Sequence, residues 1–244
     1  MSDSFIFDFL FLNFMKPTIA FVTGGYSGEA QISYQSAITI EANIDISKFN
    51  YYKIDIRKDG WFHPLASGAE IAVDKNDFSI TIEGKKIKFD AVLIGIHGTP
   101  GEDGKLQAYF DLLNIPYTSC DAAVSALTFN KRYTLAVAAF SGIHVAKSLH
   151  FFKGENIDIV DISRQLKYPL FVKPNNGGSS IGMSKVMEEV GLQAAIDKAF
   201  KEDDQILIEE FSAGREFTVG VCMIDKKIIT LPITEVKPMN DFFD

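Results

Sequence analysis

Apolar runs of strand length alternate with apolar residues at helical spacing through most of the chain. Residues 18–23 (Thr-Ile-Ala-Phe-Val-Thr) read as a buried strand, ending in Gly24-Gly25-Tyr26-Ser27-Gly28-Glu29. Ser33 can then cap a helix reaching about Ile44, with Ile32, Ala37, Ile40 and Ile44 on one side. Strand, glycine turn and helix open a βαβ unit, in which ligands meet the loops at the strands' carboxyl ends. Residues 51–56 predict a second strand, and residues 80–82 and 87–89 a small hairpin around Glu83-Gly84. Residues 91–96 predict another buried strand, followed by His97-Gly98-Thr99-Pro100-Gly101-Glu102-Asp103-Gly104. Leu106, Tyr109, Phe110 and Leu113 then recur at helical spacing, and Pro116 closes that helix.

Residues 121–127 and 130–140 predict helices, the second ended by Gly142. Near 119–130 the pattern changes from parallel-sheet units to a second domain. Leu170, Phe171 and Val172 form a short strand with Lys173 at its end, where Pro174, lacking an N–H, is expected to stop the pairing. Residues 181–186 read as a returning strand. An amphipathic helix over 188–200 puts Leu192, Ala195, Ile196 and Ala199 on one face, with acids in its first turn. Residues 206–211 form a strand ending in Glu209-Glu210-Phe211, and residues 216–224 and 227–233 a hairpin across Asp225-Lys226.

Composition narrows the class only a little. The chain has 244 residues, 47% hydrophobic and 23% charged, which is ordinary globular usage with room for more than one domain. A formal net charge of −8 argues against a general nucleic-acid binder. Cys120 and Cys222 have no metal spacing and no disulfide framework; their apolar neighbours predict buried free thiols and a reducing compartment. Residues 5–14 are almost entirely apolar, yet they lack the basic start and cleavage site of a signal peptide and are too short to span a bilayer. Translation is expected to begin at Met15, because Lys16-Pro17 leads straight into the first strand; an intact mass that includes residues 1–14 contradicts this.

The chemistry concentrates in three glycine-containing stretches. Asn175 to Ser180 supply two glycines, two amides and two hydroxyls after Lys173, a set suited to phosphate oxygens. Gly-Gly-Ser-Ser alone suits a polar hairpin loop equally well, and the lysine precedes the glycines, unlike the P-loop order. His97 at a strand end is an ordinary place for a hydrogen-bonded structural histidine; the glycines and acids beside it favour a ligand loop. Lys131 at a helix start opposes the helix dipole, which points to another purpose than solvation.

Taken together, these stretches resemble a family. His97-Gly-x-x-Gly-Glu-Asp-Gly-x-Leu-Gln-Ala108 resembles the first signature of D-alanine–D-alanine ligases, and Gly24-Gly25-x-Ser-x-Glu29 their N-terminal substrate loop. Lys173-Pro-x-x-x-Gly-Ser-Ser-Ile-Gly-Met-Ser-Lys185 is similar to their phosphate-covering loop. Leu207-Ile-Glu-Glu-Phe and Glu216-Phe-Thr-Val219 are similar to their adenine hinge. The matches keep family order and span roughly residues 15 to 244.

The resemblance implies an α/β chain: an N-terminal parallel-sheet (pre-ATP-grasp) domain followed by an incomplete ATP-grasp fold. The implied divisions are an extension over 1–14, a substrate domain over 15–120, a central ATP-grasp subdomain over 121–215, and the start of a third domain over 216–244. It implies ATP-dependent joining of two D-alanines through an acyl phosphate, for peptidoglycan precursors, in the cytoplasm. Glu29 would hold the ammonium of the first D-alanine and His97 would fix that subsite. Lys131 and Lys173 would contact ATP phosphates, covered by Gly178, Ser179 and Ser180, with Ser179 also orienting substrate alongside Glu29. Glu209, Glu210 and Phe211 would border adenine, and Glu216 would take the ribose hydroxyls. Mg2+ (or Mn2+) is implied, its protein ligands expected in the part of the third domain that family members carry beyond this chain. The implied partners are D-alanine and ATP, without nucleic acid or membrane, and with a homodimer left open. Two other readings stay open: a related ATP-grasp ligase making a depsipeptide or another dipeptide, and a non-catalytic nucleotide-binding module.

Overall fold

The computed structural model describes residues 16–237, and the chain forms two compact units, Met1–Thr134 and Leu135–Asp244. The expectations for residues 1–14, for Met15 and for Phe243 onward lie outside the described residues.

In the first unit the elements are β1 (Thr18–Gly24), α1 (Ala30–Asn43), β2 (Asn50–Arg57), β3 (Gly60–Pro64), β4 (Glu70–Ala72), β5 (Ile80–Ile82), β6 (Lys85–Ile87), β7 (Ala91–Ile94), α2 (Lys105–Leu113) and α3 (Ala122–Phe129). The main sheet runs β4-β3-β2-β1-β7. Here β1 lies parallel to both β2 and β7, whereas β3 and β4 add antiparallel hairpins at one edge. A strand buried on both faces needs a continuous apolar run, and Ala20, Phe21 and Val22 in β1 are fully buried. An aromatic cluster fills the space between this sheet and α2: Phe78 sits 4.8 Å from Phe110 and 5.4 Å from Phe89, ring centre to ring centre. Such pairs prefer the tilted and edge-on geometries seen here. The small hairpin turns at Glu83 and Gly84, both at positive φ, so its returning strand starts at Lys85 rather than at Ile87.

The first helix departs from expectation. Its N-cap is Glu29 and it begins at Ala30, whereas the sequence suggested Ser33 as the cap. Ser33 is buried inside the helix because its hydroxyl is used twice: it donates to the Glu29 carbonyl at 3.3 Å and accepts the His97 N–H at 2.9 Å. The sequence pattern has no strands at β3 and β4, which the structure adds.

Three tyrosines of this unit carry phenols pushed up to about 12. Burial is the main cause in each; Tyr34 also donates to Asp55 at 2.8 Å, Tyr117 donates to Asp111 at 3.0 Å, and Tyr109 faces the charges of Asp77 and Asp74. The folded value lies above the ordinary one near 10, so the neutral phenol is favoured by folding. Their contribution is therefore complete below about pH 10 and is lost as the pH rises through 10 towards 12. Urea midpoints are expected to hold steady up to about pH 9.5 and then fall steeply; a flat profile to pH 11.5 contradicts this.

In the second unit the elements are α4 (Lys131–Phe140, entering from the first unit), β8 (Ser148–Phe152), α5 (Ile159–Gln165), β9 (Leu170–Pro174), β10 (Ser184–Val186), α6 (Leu192–Ala199), β11 (Gln205–Glu210), β12 (Glu216–Thr218), β13 (Val221–Ile224), β14 (Lys227–Thr230) and β15 (Thr234–Val236). A sheet in the order β10-β9-β11-β8 is antiparallel throughout. One face buries Leu170, Val172, Val186, Ile206 and Ile208 against Leu192, Ala195, Ile196 and Ala199 of α6, the face read from sequence. Pro174 does not stop the pairing: it stands opposite Ile206, and the Asn175 N–H still donates to the Gln205 carbonyl at 2.9 Å. On the other side β10 reaches only as far as Val172, so no strand asks for the missing N–H. The returning strand is shorter than expected, because Ser180 and Gly182 at positive φ keep the chain in a turn up to Met183.

The final hairpin keeps its turn at Asp225-Lys226 but splits into two ladders, β13–β14 and β12–β15, one residue out of register across Gly220 and Leu231. Both cysteines are exposed, against the expectation of buried thiols. Cys222 lies in the two-stranded β13–β14 ribbon, which has no third strand among the described residues, and Cys120 in the exposed segment before α3.

Candidate active site

In the first unit the carboxyl ends of β1 and β7 bring two predicted loops together. The Tyr26 N–H donates to the Thr99 carbonyl at 2.8 Å, joining the Gly24–Glu29 stretch to the one that follows His97. Glu29 is only 4% exposed, and carboxylates are rarely buried so deeply. Gly98 explains how it fits: at φ +72° it leaves its Cβ direction empty, and a Cβ there would stand 2.5 Å from Glu29 Oε2 and 2.6 Å from Ser27 Oγ. The carboxylate thus lies against the loop backbone. His97 is half-buried, its Nε2 3.0 Å from Ser36 Oγ. Glu102 accepts the Gly98 N–H at 2.7 Å, and Asp103 pairs with Thr99 and Lys105, so the two acids of the signature brace the loop.

Gly98→Ala is expected to displace the Glu29 carboxylate and strain the positive-φ backbone, costing about 1–2 kcal/mol of stability. A lower urea midpoint with an unchanged slope is the expected result; an unchanged midpoint contradicts it.

The second unit contains a cleft of about 740 Å³, within the usual range for small-molecule sites. Its floor is the sheet face turned away from the core. Because side chains alternate along a strand, Leu170 and Val172 point into the core while Phe171 and Lys173 point into the cleft. Ser180, Glu209, Glu210, Phe211 and Glu216 also line it, so most of the predicted nucleotide residues surround one volume. Lys173 pairs with Glu209 across β9 and β11, side chains 20% and 14% exposed. Glu210 is otherwise committed: its carboxylate accepts the Lys167 N–H at 2.9 Å. Phe211 is fixed edge-on to Phe171 at 5.8 Å, with the Lys185 ammonium 4.4 Å over its ring.

Gly178 and Ser179 sit in the turn beside the cleft, which Ser179 and Ser180 enter at φ +51° and +54°. Two successive non-glycine residues in the left-handed region cost about 1–2 kcal/mol each, strain typical of functional loops. Lys131 belongs to the first unit and opens α4, which Asn130 caps by accepting the Tyr133 N–H at 3.0 Å. Sequence reasoning missed Phe171, Met183, Arg215 and Glu235 as lining residues. Phe171 was findable from its alternation with Lys173; Arg215 and Glu235, a bidentate pair at 2.9 and 3.0 Å, carry no such signal.

The models of the D-ala D-ala ligase N-terminus and C-terminus match residues 18–120 and 129–244. The D-alanine–D-alanine ligase of Flavobacterium johnsoniae is 48% identical over 226 residues, covering 93% of this chain and 70% of that protein. This chain belongs to the D-alanine–D-alanine ligase family. The Parabacteroides distasonis D-alanine–D-alanine ligase is 46% identical, with 94% of this chain and 70% of the relative covered. Among solved structures, the VanG D-Ala:D-Ser ligase of Enterococcus faecalis matches with a TM-score of 0.80 and 33% identity, covering 94% of this chain and 72% of that one. D-alanyl-alanine synthetase A of Vibrio cholerae matches with a TM-score of 0.81 and 29% identity, covering 93% and 68%. The family's mixed α/β architecture with a parallel-strand sheet is the architecture described above.

Proposed function

We propose that this ligase joins two D-alanines at the expense of ATP, and the observation that supports it most is the single cleft gathering Lys173, Ser180, Glu209, Phe211 and Glu216. In this reading Glu29 anchors the ammonium of the first D-alanine and His97 fixes that subsite. Lys131, Lys173, Gly178, Ser179 and Ser180 neutralise and cover the phosphates, and Ser179 also orients the substrate. Phe211, with Glu209 and Glu210, borders the adenine, and Glu216 holds the ribose hydroxyls. A carboxylate oxygen of the first D-alanine attacks the γ-phosphorus and ADP leaves. The amine of the second D-alanine then attacks the acyl phosphate, the C–O bond to phosphate breaks, and the amine loses its proton. Positioning and charge neutralisation supply most of the rate in phosphoryl transfer. Cytoplasmic location, service to peptidoglycan synthesis and the domain divisions at 15, 121 and 216 belong to the same proposal.

Among the described residues no group of three His, Cys, Asp or Glu side chains is placed to hold a metal ion. In the cleft Glu209 pairs with Lys173, Glu210 with the Lys167 N–H and Glu235 with Arg215, so these acids do not fit a divalent ion. The chain covers 70% of the Flavobacterium johnsoniae and Parabacteroides distasonis relatives, and the resemblance implies that the metal-holding acids lie in the remainder. The 244 residues alone are accordingly expected to bind nucleotide weakly and not to ligate.

The test is a chain extended past Asp244 with the remaining C-terminal sequence of the Flavobacterium johnsoniae ligase, assayed for D-alanine-dependent phosphate release and dipeptide. D-serine and D-lactate as second substrates separate dipeptide from depsipeptide synthesis, a choice that the D-Ala:D-Ser ligase among the similar structures makes relevant. A folded, nucleotide-binding chimera without D-alanine-dependent phosphate release would favour the non-catalytic reading.

A further inference from the structure

The hairpin of β2 and β3 sits beside the Glu29 loop and grips two of its consecutive residues. The Gly25 N–H donates to the Ile56 carbonyl of β2 at 2.8 Å. Ile56 is paired across the hairpin with Trp61 of β3, and the Trp61 indole Nε1–H donates to the Tyr26 hydroxyl at 2.7 Å. Tyr26 also donates its own N–H to Thr99, so one residue ties the Glu29 loop both to the hairpin and to the loop after His97. Three residues further on, the Glu29 N–H donates to Ser27 Oγ at 3.3 Å.

The indole itself has no freedom to drift. Its ring meets Tyr109 edge-on at 5.2 Å and Phe78 at 6.0 Å, the Lys75 ammonium lies 4.8 Å over it, and the residue is 9% exposed. The Trp61 carbonyl accepts the Val73 N–H at 2.9 Å, which fixes the strand from its other side. A side-chain hydrogen bond from so confined a donor sets where its acceptor can be, and a fraction of an ångström in a substrate anchor is felt in binding. Tyr26 is therefore held by a group outside both loops, on a strand that contributes nothing else to the site.

We infer that Trp61, through its hydrogen bond to Tyr26, is a positioning residue for the Glu29 carboxylate and so for recognition of the first D-alanine. This rests on the reading of Glu29 as the ammonium anchor. The pair contributes geometry and no charge, so its loss acts on substrate affinity while leaving phosphoryl transfer intact.

The experiment uses the extended chain with Trp61→Phe, Tyr26→Phe and both together. Each single variant is expected to raise the KM for the first D-alanine roughly threefold to tenfold, the worth of one neutral hydrogen bond. Saturated kcat and the KM for ATP should stay within a factor of about two, and the double variant should be no worse than either single one, since the same bond is lost once. Unchanged KM for D-alanine in Tyr26→Phe, or parallel losses in kcat and both KM values, would overturn the inference; Tyr26→Phe serves even if Trp61→Phe folds poorly. Additive effects in the double variant would overturn it too. A wild-type extended chain that folds and binds ATP without any D-alanine-dependent turnover would overturn the reading of the site, and this inference with it.

Discussion

Glu29→Gln in the extended chain is expected to lower kcat/KM for the first D-alanine by about a hundredfold to a few thousandfold. Glu29 is nearly buried, and its carboxylate lies against Gly98, where bulk water cannot replace it as the partner of an ammonium. An ion pair out of water is costly to break because one charge is left alone, by about 3–5 kcal/mol. Gln keeps the shape and one acceptor but removes the charge, so the loss falls chiefly on the ammonium. The KM for ATP should hardly move, and thermal unfolding should change little. Normal use of the first D-alanine by this variant would show that its ammonium is bound elsewhere.

Lys173→Ala is expected to weaken ATP binding about tenfold to a hundredfold, more than it weakens D-alanine binding. Two effects combine. The variant loses the proposed charge-assisted contact to phosphate, and it leaves the Glu209 carboxylate, 14% exposed and paired with Lys173 in the resting protein, as an uncompensated anion in the cleft. Like charges repel strongly at short range in such surroundings. Lys173→Ala/Glu209→Gln should therefore regain part of the lost affinity, which a purely structural role for the pair does not predict. Calorimetric titration with ATP distinguishes the cases; unchanged affinity in a folded Lys173→Ala protein would remove Lys173 from the phosphate site.

Much of the scaffold was legible because burial writes a pattern. β1 and β7 are continuous apolar runs, α6 shows its four buried positions at helical spacing, and Asp121 and Asn130 stand at the caps of α3 and α4. The failures have physical causes as well. β3 mixes Gly, Trp, Phe, His and Pro and puts only Trp61 into the core, so one buried residue leaves no period to read and pairing with β2 sets its place. Ser33 looked like a cap because serine hydroxyls favour that position, but tertiary contacts with His97 claimed the hydroxyl. The candidate site was legible as residue types in order, since glycines, a lysine and acids mark loops that approach ligands. What the sequence could not supply was commitment: that Glu210 is taken by the Lys167 N–H, that Glu209 already neutralises Lys173, and that Tyr26 hangs from Trp61.

The claim that these loops form a ligase site is tested most directly by the extended chain given ATP and D-alanine, with phosphate and dipeptide followed together. The account predicts one phosphate released per D-alanyl-D-alanine formed, release that depends on D-alanine, and loss of both products together in Glu29→Gln at limiting D-alanine. A folded chimera that binds ATP yet releases no phosphate on adding D-alanine, or releases it without dipeptide, would contradict it.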